Sequence, residues 1–316
     1  MIILNTASRS GKVWAVAFHP DGKHILGGNN DGIQRWRLAD GEEVGKQMGM
    51  ELQAIGVSRD DNWIVCGTYG AGVSVWDGEL SERVINVEGE NIVDAVDVSP
   101  DSTRFATGTR AKEANIWSIT TGQRLVGPLK HENDVNGIRF SPDGDRIATA
   151  CYRGIRIFDS RNGDELVTIK TGLPTWGAIT PLAWSSNGQN IFALSHDDEI
   201  MIFDTVTSAG TQLSKLQILR DGSERVPSIA LAPNGKFIAI LAGQSMSFLD
   251  TLTLTPIGPV IEDNEGIWSV AISPDSSCIA SGRYDGKIVI RNLGKILPES
   301  YGPFSVSIHA FILLTC

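Results

Sequence analysis

Residues Val13–Trp36 read VWAVAFHPDGKHILGGNNDGIQRW. An alternating apolar strand (Val16, Phe18) runs into a Pro-Asp-Gly turn, a second apolar run, an Asp-Gly turn and a third run that ends on Trp36. Proline presets φ for such a turn, and Asp, Asn and Gly tolerate its dihedrals. The stretch therefore reads as short strands joined by tight turns.

The same pattern recurs along the chain. Aligned on the turn after the first strand, the units read AVAFHPDG ending at Gly22, AIGVSRDD at Asp61, AVDVSPDS at Ser102, GIRFSPDG at Gly144, PLAWSSNG at Gly188, SIALAPNG at Gly235 and SVAISPDS at Ser276. Successive intervals are 39, 41, 42, 44, 47 and 41 residues. Each unit adds a second apolar strand (HILGG, RIATA, CIASG), a third that often ends in an aromatic (VSVWD, ANIWS, IRIFD, IMIFD) and a looser fourth segment such as GDELVTI. Four short strands in roughly 40 residues make one propeller blade. A lone blade cannot bury both of its faces, and stacking blades in a ring does so. The expected fold is all-β: one seven-bladed β-propeller of four-stranded antiparallel blades over residues 1–296, followed by a hydrophobic tail at 297–316.

The "SPDG" turns, VWD at Val75–Asp77, NIW at Asn115–Trp117, IFD at Ile157–Asp159 and Ile202–Asp204, and YDGKIVI at Tyr284–Ile290 resemble the WD-repeat family. The resemblance covers nearly the whole chain and is specific for fold, while fold alone does not carry function. It implies that protein partners dock on the face formed by the loops before the first strand and between the second and third strands. Propellers of fungal NOD-like receptors are similar, and the chain starts abruptly on a strand, as a piece of a longer protein would. In the family, a His before the first strand, a Ser in the second, an Asp in the tight turn and a Trp in the third are often linked. Here His131 alone fills the His position, unit four has Phe158 for the Trp, Asp31 and Asp285 fill the turn in units one and seven, and unit seven ends its third strand in Arg291. With no complete set, apolar packing rather than that polar network is expected to hold the blades. Blade seven supplies three strands, so a chain end must provide the fourth. MIILNTASR and the tail segment GPFSVSIHAFILL are both placed to do so, and an unpaired apolar edge would be an aggregation liability.

The 316-residue chain has 27 Lys and Arg against 37 Asp and Glu, a net charge of −10. This argues against a sequence-independent grip on nucleic acid, which needs clustered cations. Charge steering favours a partner with basic residues. Cys66, Cys151, Cys278 and Cys316 lie far apart without metal-like spacing. The start of the chain makes a poor signal peptide, and the apolar tail is too short to span a bilayer as a helix. The expected location is the cytoplasm or nucleus.

No GxSxG, HExxH, P-loop or strand-linked GxGxxG occurs, so the chain reads as a non-enzyme with no cofactor. His19, Asp21 and His24 form a conceivable metal cluster, but further ligands are missing, and the simpler interpretation is that His19 replaces the usual Ser of the turn. Ser195–Glu199 (SHDDE) could hold calcium, but such turn charges are ordinarily just solvated.

Candidate contacts for a partner follow from position in the unit. At the tight turn between second and third strands stand Asn30, Tyr69, Tyr152 and Tyr284; three of the four tyrosines share that position. At the start of the first strand stand Trp14, Asp94, Asn136 and Trp268. Blades one and seven become neighbours on closure, so Trp14, Trp268 and Tyr284 should cluster, with Trp176 joining from unit five. Large aromatic side chains dominate interface hot spots. Trp36, Trp63, Trp76, Trp117 and Trp184 are expected in the core, and strand-end aromatics can also merely cap it. The leading function is a protein- or peptide-binding scaffold. The alternatives are a lactonase-like propeller hydrolase with a metal in its channel, or a sensor region of a larger receptor-like protein.

Overall fold

In the computed structural model, which describes residues 1–6, 11–45, 47–70, 72–79, 82–89, 91–152, 154–170, 182–194, 199–205, 212–217, 228–242 and 244–302, the residue used to align the units has one backbone shape throughout. Its φ is 65° at Gly22, 65° at Asp61, 59° at Ser102, 76° at Gly144, 68° at Gly188, 71° at Gly235 and 60° at Ser276. Glycine takes this left-handed conformation without the steric cost that Asp and Ser bear. In units two, three, four and seven, the Ser that opens the turn donates its hydroxyl to the Asp two residues on (Ser58–Asp60, Ser99–Asp101, Ser141–Asp143, Ser273–Asp275). The same Ser Oγ accepts the N–H of the residue five ahead, at 2.8–3.0 Å. The turn is thus locked at both ends.

These turns join seven sheets. Blade one pairs Ala15–Phe18, His24–Asn29 and Gly32–Arg37. Blade two is Leu52–Val57, Trp63–Thr68, Val73–Asp77 and Arg83–Val87, and blade three Val93–Val98, Arg104–Thr109, Glu113–Ser118 and Arg124–Lys130. Blade four is Gly137–Phe140, Arg146–Cys151, Gly154–Asp159 and Glu165–Lys170, and blade five Leu182–Trp184, Asn190–Leu194, Glu199–Asp204 and Gln212–Gln217. Blade six is Ser228–Leu231, Phe237–Ala242, Ser245–Asp250 and Ile261–Glu262, and blade seven begins with Ile267–Ile272, Cys278–Arg283 and Lys287–Asn292. All described pairings are antiparallel. First strands of successive blades touch all the way round, the seventh against the first. The fold is a seven-bladed β-propeller. Blade one differs in detail: among the described residues its fourth position shows isolated bridges, Trp36 to Glu43 and Ile33 to Met48.

Hydrophobic burial follows the seams. Seven core clusters occupy the seven interfaces between blades. At the blade three–four seam, for example, Ala106, Ile116 and Val126 meet Ile138, Phe140 and Phe158. The seam is close enough that a Cβ on Gly108 would lie 2.6 Å from the Val135 carbonyl oxygen. Trp36, Trp76 and Trp184 are buried, whereas Trp63 and Trp117 are half-buried against the blade two–three cluster. Cys66 is fully buried, which pushes its thiol up to about 12.

The N-terminal strand Ile2–Asn5 closes the ring. It pairs with Lys287–Asn292 from Ile2 opposite Ile290 to Asn5 opposite Lys287. Leu4 is buried with Ile288 and Ile290, and Thr6 donates its N–H and hydroxyl to the Gly286 carbonyl. The start of the tail goes elsewhere. Short 3-10 turns at Leu293–Lys295 and Glu299–Tyr301 bring Leu293, Leu297 and Tyr301 onto the blade six–seven cluster, and the Tyr301 hydroxyl donates to Asp250 at 2.6 Å. The tail from 303 onward, Trp176 and most of the SHDDE stretch lie outside the described residues.

The polar network is more present than the motif comparison suggests. In blade four, His131 Nδ1 lies 2.9 Å from the Leu129 carbonyl and Nε2 lies 2.8 Å from Thr149 Oγ1. A carbonyl only accepts, so Nδ1 carries the proton, and in the neutral ring Nε2 accepts the Thr149 hydroxyl. Burial holds His131 down at about 4 and keeps it neutral. In blade three, Trp117 Nε1 donates to Thr107 Oγ1 at 2.9 Å. Threonine stands where a Ser motif would not find it. Packing dominates, with polar links added blade by blade.

Candidate functional site

The tight turns and first-strand starts are held by backbone bonds that cross between them. Tyr69 N–H donates to the Glu51 carbonyl, Tyr284 N–H to Gly266 and Arg110 N–H to Ile92. Blades two, three and seven therefore fix the residue at the turn relative to the entry of their own first strand.

At the closure seam this places three aromatics in contact. Trp14 and Trp268 meet edge to face with ring centroids 4.7 Å apart, and Trp268 meets Tyr284 at 5.5 Å. This is the geometry that the ring quadrupoles favour. All three are half-buried. Lys12 Nζ lies 5.4 Å from the Trp14 ring centroid and 5.1 Å from that of Tyr284, within cation–π range.

Beside this trio lies a cleft of about 320 Å³ lined by Trp14, Trp268, Asn30, Glu51, Gln53, Tyr69 and Arg110. Tyr69 is 52% exposed. The Arg110 guanidinium stands 6.0 Å from the Tyr69 ring centroid and is fixed from behind by Asp94, with Nε to Oδ2 at 2.8 Å and Nη2 to Oδ1 at 3.2 Å. Burial pushes the Asp94 carboxyl up, and the Arg110 charge opposes that rise.

Of the eight residues singled out from sequence, Trp14, Asn30, Tyr69 and Trp268 line this one cleft. Tyr284 touches it through Trp268, and Asp94 through Arg110. Asn136 is buried and lines the narrow central channel with Asp94, Ser228 and Ser269. Tyr152 stands apart, in a recess on blade four with His131, Arg156 and Glu165. Sequence reasoning missed Lys12, Glu51, Gln53 and Arg110. The signal for Arg110 was available: in TGTRAK it fills the tight-turn position that Tyr69, Tyr152 and Tyr284 fill in their units.

Two family models match the chain. The "WD domain, G-beta repeat" covers residues 3–36 and 256–292, the two stretches that close the ring on each other. The "Anaphase-promoting complex subunit 4 WD40 domain" covers residues 107–187. The chain is a WD40-repeat propeller. The intraflagellar transport protein 122 homolog of Xenopus tropicalis is 20% identical over 290 residues, which is 89% of this chain and 23% of that protein. The guanine nucleotide-binding protein subunit beta of Zea mays is 29% identical over 179 residues, 53% of this chain and 44% of that protein. The small ribosomal subunit protein RACK1 of Caenorhabditis elegans is 27% identical over 154 residues, 46% of this chain and 47% of that protein. The chain thus spans about a quarter of the first relative and under half of the other two. No helix among the described residues is long and apolar enough to cross a membrane.

Proposed function

We propose that this WD40 propeller is a non-catalytic scaffold that holds a protein or peptide segment on the face bearing Trp14, Tyr69, Trp268 and Tyr284. The carrying observation is the cleft in which Trp14, Trp268 and Tyr69 converge beside Arg110. Half-exposed aromatics backed by fixed partners supply contact area at little ordering cost. Asn30 and Asn136 offer hydrogen bonds at its rim and along the channel wall. Two relatives, the guanine nucleotide-binding protein subunit beta and the small ribosomal subunit protein, are by name subunits of larger assemblies, which accords with a binding role. Asp94, a carboxylate lining the central channel, is already engaged by Arg110, which favours a recognition surface over a hydrolytic centre at that end of the channel.

The test is selection of binding peptides from a displayed random library, followed by affinity measurement on the intact chain and on a Trp14→Ala/Tyr69→Ala variant shown to be folded by circular dichroism. Loss of roughly tenfold or more in affinity is expected, the scale of a central hot spot. Equal binding by the variant, or amide-exchange protection confined to the opposite face, would overturn the proposal.

A further inference from the structure

The face carrying the Pro-Asp-Gly turns breaks its own repeat at two places that touch. The residue opening the turn is Ser in units two, three, four, five and seven and Ala in unit six, but His19 in unit one. The residue closing it is Gly or Ser in six units, but Asp61 in unit two. The ring brings these positions together, because the closing residue of a turn can lean on the turn of the preceding blade. Ser102 Oγ accepts the Asp60 N–H, and Ser276 Oγ accepts the Asn234 N–H, across the equivalent seams. At the seam between blades one and two the same geometry sets Asp61 against His19.

His19 is 4% exposed. Its Nε2 lies 3.2 Å from the Gly78 carbonyl oxygen. That oxygen only accepts, so Nε2 carries a proton. Gly78 is tightly seated, since a Cβ there would lie 1.8 Å from the Asp61 carbonyl oxygen. Arg35 shares the Gly78 carbonyl, and its charge is paired on its other side with Glu79 at 2.7 Å. Nδ1 makes no hydrogen bond among the described residues, and neither does Asp61 Oδ1. Instead Nδ1 stands 3.4 Å from Asp21 Oδ1 and 3.4 Å from Asp61 Oδ1. Asp21 Oδ2 is held by His24 Nδ1 at 2.6 Å. Two carboxylate oxygens thus flank Nδ1, with Asp21 Oδ1 also accepting the Lys23 and His24 N–H groups at 2.7 and 3.1 Å. A proton on Nδ1 would draw a carboxylate to about 2.7–2.9 Å, and 3.4 Å is too long for that. Ligands about 2.0–2.1 Å from a tetrahedral zinc ion lie roughly 3.3 Å from one another, which matches the two separations measured from Nδ1.

We propose that His19 Nδ1, Asp21 Oδ1 and Asp61 Oδ1 form a site for a divalent first-row transition metal of the zinc class, bridging blades one and two. His24 supports Asp21 from outside, as partners of metal-bound carboxylates do. Asp21 and Asp61 are part-exposed, which leaves the ion an entry path and a fourth position for water. The imidazole selects against magnesium and calcium, which prefer all-oxygen shells. The sequence showed only His19, Asp21 and His24; Asp61, 42 positions beyond His19, completes the set.

The repeat itself supplies clean variants. His19→Ser and Asp61→Gly each restore the residue that other blades carry, so the ring should fold. Zinc binding to the full chain is followed by calorimetry, and cobalt binding by visible absorption. One zinc ion per chain, a rise in the melting midpoint with zinc, and an intense tetrahedral-type cobalt band are expected. Each of the two variants should lose the band and bind zinc at least roughly tenfold more weakly, and His24→Gln should weaken it by about tenfold. The proposal is overturned if the intact chain binds no zinc, if His19→Ser binds it equally well, or if only pH and no metal shifts the midpoint.

Discussion

On the turn face, blades three, four and five are tied together by the same side chain in the same place. Arg104 reaches forward to the Ser160 and Gly144 carbonyls of blade four, and Arg146 reaches forward to Thr205 Oγ1 and the Gly188 carbonyl of blade five. Each guanidinium also stacks on an aromatic of the next blade, Phe140 at 5.5 Å and Trp184 at 4.9 Å. On the opposite face, the tight turns carry three tyrosines, an arginine and an asparagine: Tyr69, Tyr152, Tyr284, Arg110 and Asn30. One face repeats because its contacts satisfy one another. The other varies because the fold does not dictate what stands there. A residue that departs from a self-satisfying repeat, such as His19 or Asp61, is therefore more informative than a variable residue on the loop face.

Substitutions can break this comparison. The largest effect should come from Arg146→Ala, which removes charged hydrogen bonds and stem packing across a seam; a loss of about 2–3 kcal/mol in urea unfolding is expected. A loss under about 0.5 kcal/mol would mean the arginine ladder is incidental. Acid comes next. Burial lowers the His131 pKa from 6.5 to about 4, so the unfolded chain takes up a proton first. Stability is fully present above pH 6.5 and falls as the pH drops toward 4. His131→Gln should flatten that region of the urea-midpoint profile. Below it, Asp101, Asp143 and Asp275 take over. Burial pushes these carboxyls up, but hydrogen bonds from Ser hydroxyls and backbone N–H groups outweigh it and hold them low. Their contribution is present at neutral pH and lost as the pH falls through the carboxylate range. Ser141→Ala should cost about 1 kcal/mol, since blade six already manages with Ala232 at that position. Smallest is Tyr69→Ala on the loop face, where the melting curve should move by no more than about 0.5 kcal/mol in stability. A larger loss would show that this tyrosine serves the fold.

Blade number, strand order and the left-handed turn residue were legible because each depends on local pattern: alternation within a strand and turn chemistry between strands. The clustering of Trp14, Trp268 and Tyr284 was legible because ring closure makes blades one and seven neighbours. Which chain end closes blade seven was not, because Ile2–Asn5 and the tail have similar apolar character and only pairing distinguishes them. The His131–Thr149 bond was hidden by looking for Ser at a place where Thr supplies the same hydroxyl. Arg110 was passed over by a search for aromatics, and Tyr152 was grouped with residues from which the ring separates it. Contacts between blades join residues about one repeat apart, a separation at which a single unit's pattern says nothing about its neighbour.

The bond from Thr6 to Gly286 joins residues 280 positions apart. Within the propeller, the strand that completes the last blade is therefore made ahead of all seven units and is the last to find its partner. Throughout synthesis it must wait with an apolar edge uncovered, while six blades can stack behind it in order. The entropic penalty of joining such distant segments rises only with the logarithm of their separation, so closure is expensive mainly in time. The ring is exposed to misassembly for as long as its first strand stays idle.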